Sequence, residues 1–414
     1  MEPKKVRTFL GLQRNAFVLS LTELLHDSGN HLVMSFWSLY ILHLGGTLAT
    51  LGLFSIIGGI CNVFFQLILG YLSDKFGRKK QIILGGFIAA LGPFLLTFAN
   101  HWVWLIPGII IMSFDNSLWS TRRALLADNI SINRRGQSLA TFYMICGLSS
   151  SFLPAIGGII LDTFGLGFGF RLGLYYSGFA KIVQTLFNAR FLTEDNTRTD
   201  SQLVPKEIRR FNVSSIKEIA REFFSPIVEN KTLQVIMIGQ IIVSVSLGLI
   251  SRFTIVYAVD FIGLTKTEWG LITSISNLVN TILRIPMGTI TDMYPRRLTI
   301  LISYFVRTVY PFFFYNAKTF FHVLILTLIN SIGRNIGNIS WQALQLDITQ
   351  SRERGRLYGI FGAISGISAA SPSLGAFLWD EYGPIVPFYM ATAFRASAAI
   401  FFLFFLKETR TDKR

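Results

Sequence analysis

Two uncharged apolar runs, Leu48 to Leu69 and Ile82 to Phe98, flank the stretch Gly70-Tyr71-Leu72-Ser73-Asp74-Lys75-Phe76-Gly77-Arg78-Lys79-Lys80. Runs of about 20 apolar residues are long enough to cross the hydrocarbon of a bilayer as helices. A helix satisfies its own backbone groups there, which an open strand or loop cannot do. Five charges packed between two such runs read as a short loop at a membrane surface. The rest of the chain follows the same grammar. Of its 414 residues 51% are hydrophobic and only 15% charged, against about 25% charged in a typical soluble domain.

Spans are expected at about 15–42, 48–72, 81–99, 102–127, 138–162 and 168–191, then 232–260, 268–291, 297–316, 320–346, 356–379 and 385–406. The polar stretch 192–231 separates the two sets, and its segment Val213 to Phe224 reads as an amphipathic surface helix. The net charge of +15 sits in short loops between apolar runs. That placement points to anionic lipid and to topology signals rather than to nucleic acid. The basic loops at Lys75–Lys80, Arg134/Arg135, Arg296/Arg297 and Arg352–Arg356 alternate with loops nearly free of Lys and Arg. The positive-inside rule then puts both termini in the cytoplasm of a cell (plasma or inner) membrane protein. Cys61 and Cys146 lie inside apolar runs, so no disulfide framework is expected.

The chain repeats itself. Asp74 and Asp292 are 218 residues apart, and Arg78/Arg296 and Gly52/Gly270 keep that offset. Pro154-Ala155-Ile156-Gly157, Asp162 and Gly165 match Pro372-Ser373-Leu374-Gly375, Asp380 and Gly383 at the same offset. Ala124, Asp128 and Gly136 match Ala343, Asp347 and Gly355 at 219. Several motifs in one register imply duplication of a six-span unit. The first loop, Gly-x-Leu-x-Asp-x-x-Gly-Arg-Lys, resembles the loop between spans two and three of the major facilitator superfamily. The resemblance implies an all-α membrane protein with twelve transmembrane helices in two pseudo-symmetric six-helix bundles. The bundles would be 1–191 and 232–414, joined by a cytoplasmic linker at 192–231. It also implies a cavity lined by spans one, four, seven and ten. A cytoplasmic latch would comprise Gly70, Asp74, Gly77, Arg78, Asp292 and Arg296, with Arg122 as a partner for Asp74. Pro295 stands where Gly77 stands in the first copy, which weakens the second latch. Pro154-x-x-Gly157-Gly158 is similar to a fifth-span motif of drug–proton antiporters, but Leu153 replaces its usual Gly.

Glu23, His26, Asp27, Asn30 and Met34 fall on one helical stripe of the first span. Ionisable groups inside a membrane are costly and usually face a cavity, so Glu23, His26 and Asp27 are the proton-coupling candidates. Asn30, Asp115, Asn116, Gln240, Tyr257, Asn277, Asn280, Arg284, Arg334, Asn335 and Asn338 are the candidates for the substrate cavity. Asp115 and Arg334 occupy equivalent heights in the two repeats and are expected to interact across or beside the solute. Lys181, Arg307 and Arg395 also interrupt apolar runs and are assigned no role.

No phosphate-binding loop, Cys/His metal spacing or nucleophile elbow is present. The expectation is therefore no enzyme, no cofactor and no metal, but a monomeric secondary active transporter of a small organic solute. Its mechanism would be alternating access, proton-coupled, in the manner of a drug/proton antiporter-like exporter. The alternative is an importer of a polar or anionic solute such as a sugar or organic acid. A non-transporting membrane receptor is the reading from a different class.

Overall fold

A computed structural model describes residues 12–130, 135–193, 231–348 and 369–408. These fold as helices and their connections. The first half holds α1 (Arg14–Val33), the short α2 (Trp37–His43), α3 (Leu48–Phe76), α4 (Arg78–Thr97), α5 (Leu105–Asp128), α6 (Arg135–Phe164) and α7 (Leu166–Phe191). The second holds α8 (Lys231–Ser251), the short α9 (Thr254–Asp260), α10 (Lys266–Met293), α11 (Arg296–Tyr315) and α12 (Phe320–Ile348). Residues 369–382 (α13) and α14 (Ile385–Phe405) complete it. Among the described residues seven helical stretches are long and apolar enough to cross a membrane by length and composition. The long helices α1, α5, α7 and α10 fall outside that set. They carry Glu23, His26, Asp27, Asp115, Arg122, Lys181 and Arg284 among their residues, which lowers their apolarity. Outward-facing residues such as Leu67, Phe305 and Phe404 are more than two-thirds exposed, as a surface bathed in lipid requires.

The first and seventh spans, expected as continuous helices, are both broken. A 3-10 turn at Met34–Phe36 separates α1 from α2, and α8 gives way to α9 across Arg252 and Phe253. The breaks keep the 218-residue offset of the sequence repeat. So do two pairs of positive-φ glycines, Gly45 with Gly263 and Gly165 with Gly383. The first loop turns at Gly77, φ 87°, a conformation that a side chain would strain. Its counterpart Pro295 has φ −56° and opens α11 in the ordinary way for proline. The weakened second motif is therefore a different turn.

Within the first half α1 packs on α6 and α7, and α4 on α5 and α7; within the second α11 packs on α12 and α14. The halves meet through α6 and α10. Gly270 makes that approach possible, since any side chain there would run into the backbone of Pro154 and Ala155. Its repeat mate Gly52 lies in the same way against Ser373 of α13. At the ends of the helices away from the Gly70–Lys80 loop, one apolar core runs through both halves, from Phe36, Tyr40 and Phe170 to Phe253, Phe314 and Phe388. At the loop's own side the cores are separate. One is built on Leu19, Leu125 and Phe142, the other on Ile236, Tyr304 and Phe402. Among the described residues the apolar core shared by both halves thus lies on one side only.

A carboxylate reinforces that closed side. Asp162 Oδ2 accepts from the Thr267 amide at 2.7 Å, and Oδ1 from the Lys266 amide at 3.3 Å and its Nζ at 3.4 Å. An anion at a helix N-terminus meets free amides and the positive end of the helix dipole. The repeat mate Asp380 has no such seat, because Thr47 and Thr50 already form a capping box at the start of α3. Replacing Asp162 with alanine is expected to loosen this side. Spin labels at positions 159 and 271, in a chain lacking Cys61 and Cys146, should show a larger share of long distances. An unchanged distance distribution would count against a closing role.

Candidate functional site: a buried charge cluster between two cavities

The stripe on α1 meets α5 and α7 in a cluster of charged groups. Asp115 is its centre and is 3% exposed. Its Oδ1 accepts from Arg122 Nη2 at 2.8 Å and its Oδ2 from Lys181 Nζ at 2.6 Å. Asp115 and Arg122 are two helical turns apart on α5, so they share a face. Lys181 reaches them from α7. His26 Nε2 lies 3.6 Å from Asp115 Oδ2, and 3.2 Å from Asn30 Nδ2 one turn along α1. Glu23, 1% exposed, sits 3.4 Å from Arg122 Nε and accepts from Gln184 Nε2 at 3.3 Å. Such short, charge-assisted contacts are what a buried ion pair needs to offset its desolvation.

Asp27 is different. It is only half-buried and makes no hydrogen bond or ion pair within the hydrogen-bonded and ion-paired set of described residues. Ligand atoms of Glu23, His26 and Asp27 lie within 4.8 Å of one another. Arg122 supplies positive charge beside Glu23, and Lys181 does so beside Asp115. The cluster holds three carboxyl side chains (Glu23, Asp27, Asp115) against two basic ones (Arg122, Lys181), so it carries one carboxylate in excess.

Two cavities border the cluster. The larger, about 600 Å³, is walled by Asn30, Asp115, Asn116 and Lys181 on one side and by Arg252 and α13 on the other. The smaller, about 280 Å³, lies between α1, α6, α10 and α12 and contains Asp27. Asn277, Asn280, Arg284, Arg334, Asn335 and Asn338 all face it. Two of the asparagines also tie helices together: Asn277 donates to the Ser150 carbonyl at 2.9 Å, and Asn335 to the Asn280 carbonyl at 2.8 Å. Arg284 stacks 4.8 Å from the Tyr143 ring centre, while the Tyr143 hydroxyl accepts from Arg123 at 3.2 Å.

Several sequence expectations change. Asp115 does not face Arg334: it lines the larger cavity and is held by Arg122 and Lys181, while Arg334 lines the smaller one with Asp27. Arg122 is not at the membrane surface as a latch partner. It is 4% exposed and bound inside the cluster, because Asp115 and Glu23 compete for it at close range. Tyr257 is 8% exposed in an aromatic core, and its hydroxyl donates to the Tyr315 carbonyl at 2.8 Å. Gln240 lines neither cavity. Lys181, which the sequence reading left without a role, is the cluster's shortest ion pair. The signal was its position deep in an apolar run, where a lone cation needs a partner. The side chains of Asp74 and Asp292, the linker from 194 to 230 and the Arg352–Arg356 loop lie outside the described residues. Of the remaining latch residues, Gly70 has open space around it. Arg296 bonds the Thr291 carbonyl through its side chain, and Glu408 through its amide.

Comparison with known proteins agrees with this architecture. Residues 19–261 and 236–414 each match the Major Facilitator Superfamily. The chain is 22% identical to an uncharacterised MFS-type transporter of Methanocaldococcus jannaschii, over 84% of this chain and 87% of that one. It is 25% identical to a homologue of the multi-drug resistance efflux pump PmrA of Lactococcus lactis, over 37% of this chain and 39% of that one. The crystal structure of nucleoside transporter NupG superposes with a TM-score of 0.71 at 15% identity, covering 95% of this chain and 100% of the other. With its matched halves, its helical bundle and its polar interior, the chain belongs to the Major Facilitator Superfamily of multi-pass membrane transporters.

Proposed function

We propose that this transporter is proton-coupled and moves a small organic solute by alternating access. The moving bodies are the six-span halves 1–191 and 232–414, linked by 192–231, with both termini cytoplasmic in the cell membrane. The observation that carries the reading is the excess carboxylate of the buried cluster. A bare carboxylate away from water is costly, and binding one proton removes its charge. Asp27 is the group for that proton, because it alone of the three stands between the cluster and a cavity without a cationic partner. Proteoliposomes containing a trapped pH dye test this. A transported solute should drive a proton flux, whereas counterflow of solute with no proton movement would remove the coupling. The partial likeness to a PmrA homologue favours export in exchange for protons, whereas the two arginines of the smaller cavity favour the second reading, import of an anionic solute.

The loop motif fits a latch for the opposite state. The described cores are separate on the Gly70–Lys80 side, so a bond between Asp74 or Arg78 and the other half, with Asp292 and Arg296 as the second copy, would act when that side closes. Asp74→Asn is expected to raise cysteine accessibility on that side and to slow turnover severalfold while leaving the protein folded. Unchanged accessibility and unchanged turnover would remove the latch.

A further inference from the structure

The smaller cavity has a charge balance that selects its solute. Arg284 enters it from α10 and Arg334 from α12. Arg284 meets the Tyr143 ring, and neither it nor Arg334 has an ion-pair or hydrogen-bond partner among the described residues. The other titratable groups facing this space are Asp27 and His31 from α1, and Tyr143 and Cys146 from α6. Two guanidinium groups therefore face one carboxylate. The surroundings add to the field. In the second half Arg284, Arg307, Arg334 and Arg395 lie within helices, whereas among the described residues each Asp and Glu of that half lies at a helix end or in a connection. Arg395 and Arg307 are bonded to each other's neighbourhood, with Arg395 Nη1 donating to the Arg307 carbonyl at 2.9 Å and Nε to Ser246 at 3.1 Å.

We infer that the solute carries a carboxylate or phosphate group, that Arg284 and Arg334 hold this group, and that it binds together with the proton on Asp27. Guanidinium forks match both anions, and the carboxamides of Asn280 and Asn338 in the same wall suit the polar remainder. The volume, about 280 Å³, lies at the low end for ligand sites, so the solute is small. The inference rests on the reading of Asp27 as the coupling group. With Asp27 ionised the cavity holds a net charge of +1 from its arginines and carboxylate, and with Asp27 protonated, +2. An anion is therefore favoured by the proton, and by linkage the proton is favoured by the anion. The two travel in the same direction. A cationic solute would instead compete with the proton and be exchanged for it.

The test is thermal stabilisation of the purified full chain by small carboxylates and phosphate monoesters, each beside its uncharged amide or alcohol analogue and its amine analogue. Ligands selective for the folded state raise its apparent stability. Stabilisation confined to anions is expected. Apparent affinity should rise about 5–150-fold from pH 8 to pH 5.5, the usual span of a coupling between sites. It should fall at least about tenfold in Arg284→Gln and Arg334→Gln, the loss of about one charge-assisted contact. Arg190→Gln, outside the cavity, should leave it unchanged. Absence of any anionic ligand, or equal stabilisation by the neutral analogues, overturns the inference without variants that must fold. Anion binding with no pH dependence keeps the arginine site and removes the role of Asp27. Binding of amines that weakens in acid keeps the proton and removes the anion.

Discussion

Asp115→Leu is expected to lower the stability of the folded protein by about 3–5 kcal/mol, the usual result of removing one partner from a buried ion pair. The loss arises because Arg122 and Lys181 would remain buried with Glu23, 3.4 Å from Arg122, as the remaining ion-paired carboxylate among the described residues. Lys181→Met leaves Asp115 with Arg122 and should cost less. The double variant, Asp115→Leu with Lys181→Met, removes acid and base together and replaces them with apolar volume. It should be destabilised by less than the sum of the singles, by at least about 0.5 kcal/mol. Unfolding in mixed micelles, followed by tryptophan fluorescence, measures all three. Strict additivity would mean that the 2.6 Å contact between Lys181 and Asp115 contributes nothing on its own.

The fold was largely legible because its evidence is periodic. Apolar runs, the repeated loop and the 218-residue offset require no knowledge of distance. The helix breaks after Val33 and Ser251 were not legible, since composition gives each stretch as one span, but once seen they keep the offset. The α1 stripe was legible from periodicity too: Glu23, His26, Asp27 and Asn30 share one helical face, and a face of that polarity needs a cavity or partners. What the sequence concealed was the partner on another helix. Arg122 could have reached Asp74 at the surface or Asp115 two turns away, and only the approach of α1 and α7 decides between them. Lys181 could have snorkelled, since a long side chain can carry its charge to the interface. Tyr257 offers a hydroxyl to any cavity, but one backbone carbonyl satisfies it, and its ring packs with Phe314, Trp379 and Phe388. Arg334 and Asp115 sit at equivalent heights, yet equivalence under a repeat says nothing about which cavity each side chain enters.

Asp27→Asn is expected to abolish solute accumulation driven by a pH gradient while leaving solute exchange intact. A difference of one pH unit is worth about 1.4 kcal/mol per proton, or a tenfold concentration ratio at one proton per solute. The variant should bring that ratio to about one, because its amide keeps the shape of the wall but binds no transferable proton. Exchange should persist, since Arg284, Arg334 and the asparagines still line the cavity. Glu23→Gln separates this from a general loss of charge. Glu23 is 1% exposed and tied to Arg122 and Gln184, so its amide should weaken the cluster yet keep a gradient-driven ratio above one. Accumulation and exchange measured in the same vesicles give both quantities. Full accumulation in Asp27→Asn would move the proton to Glu23 or His26. Loss of exchange together with accumulation would make Asp27 part of the solute's own binding surface.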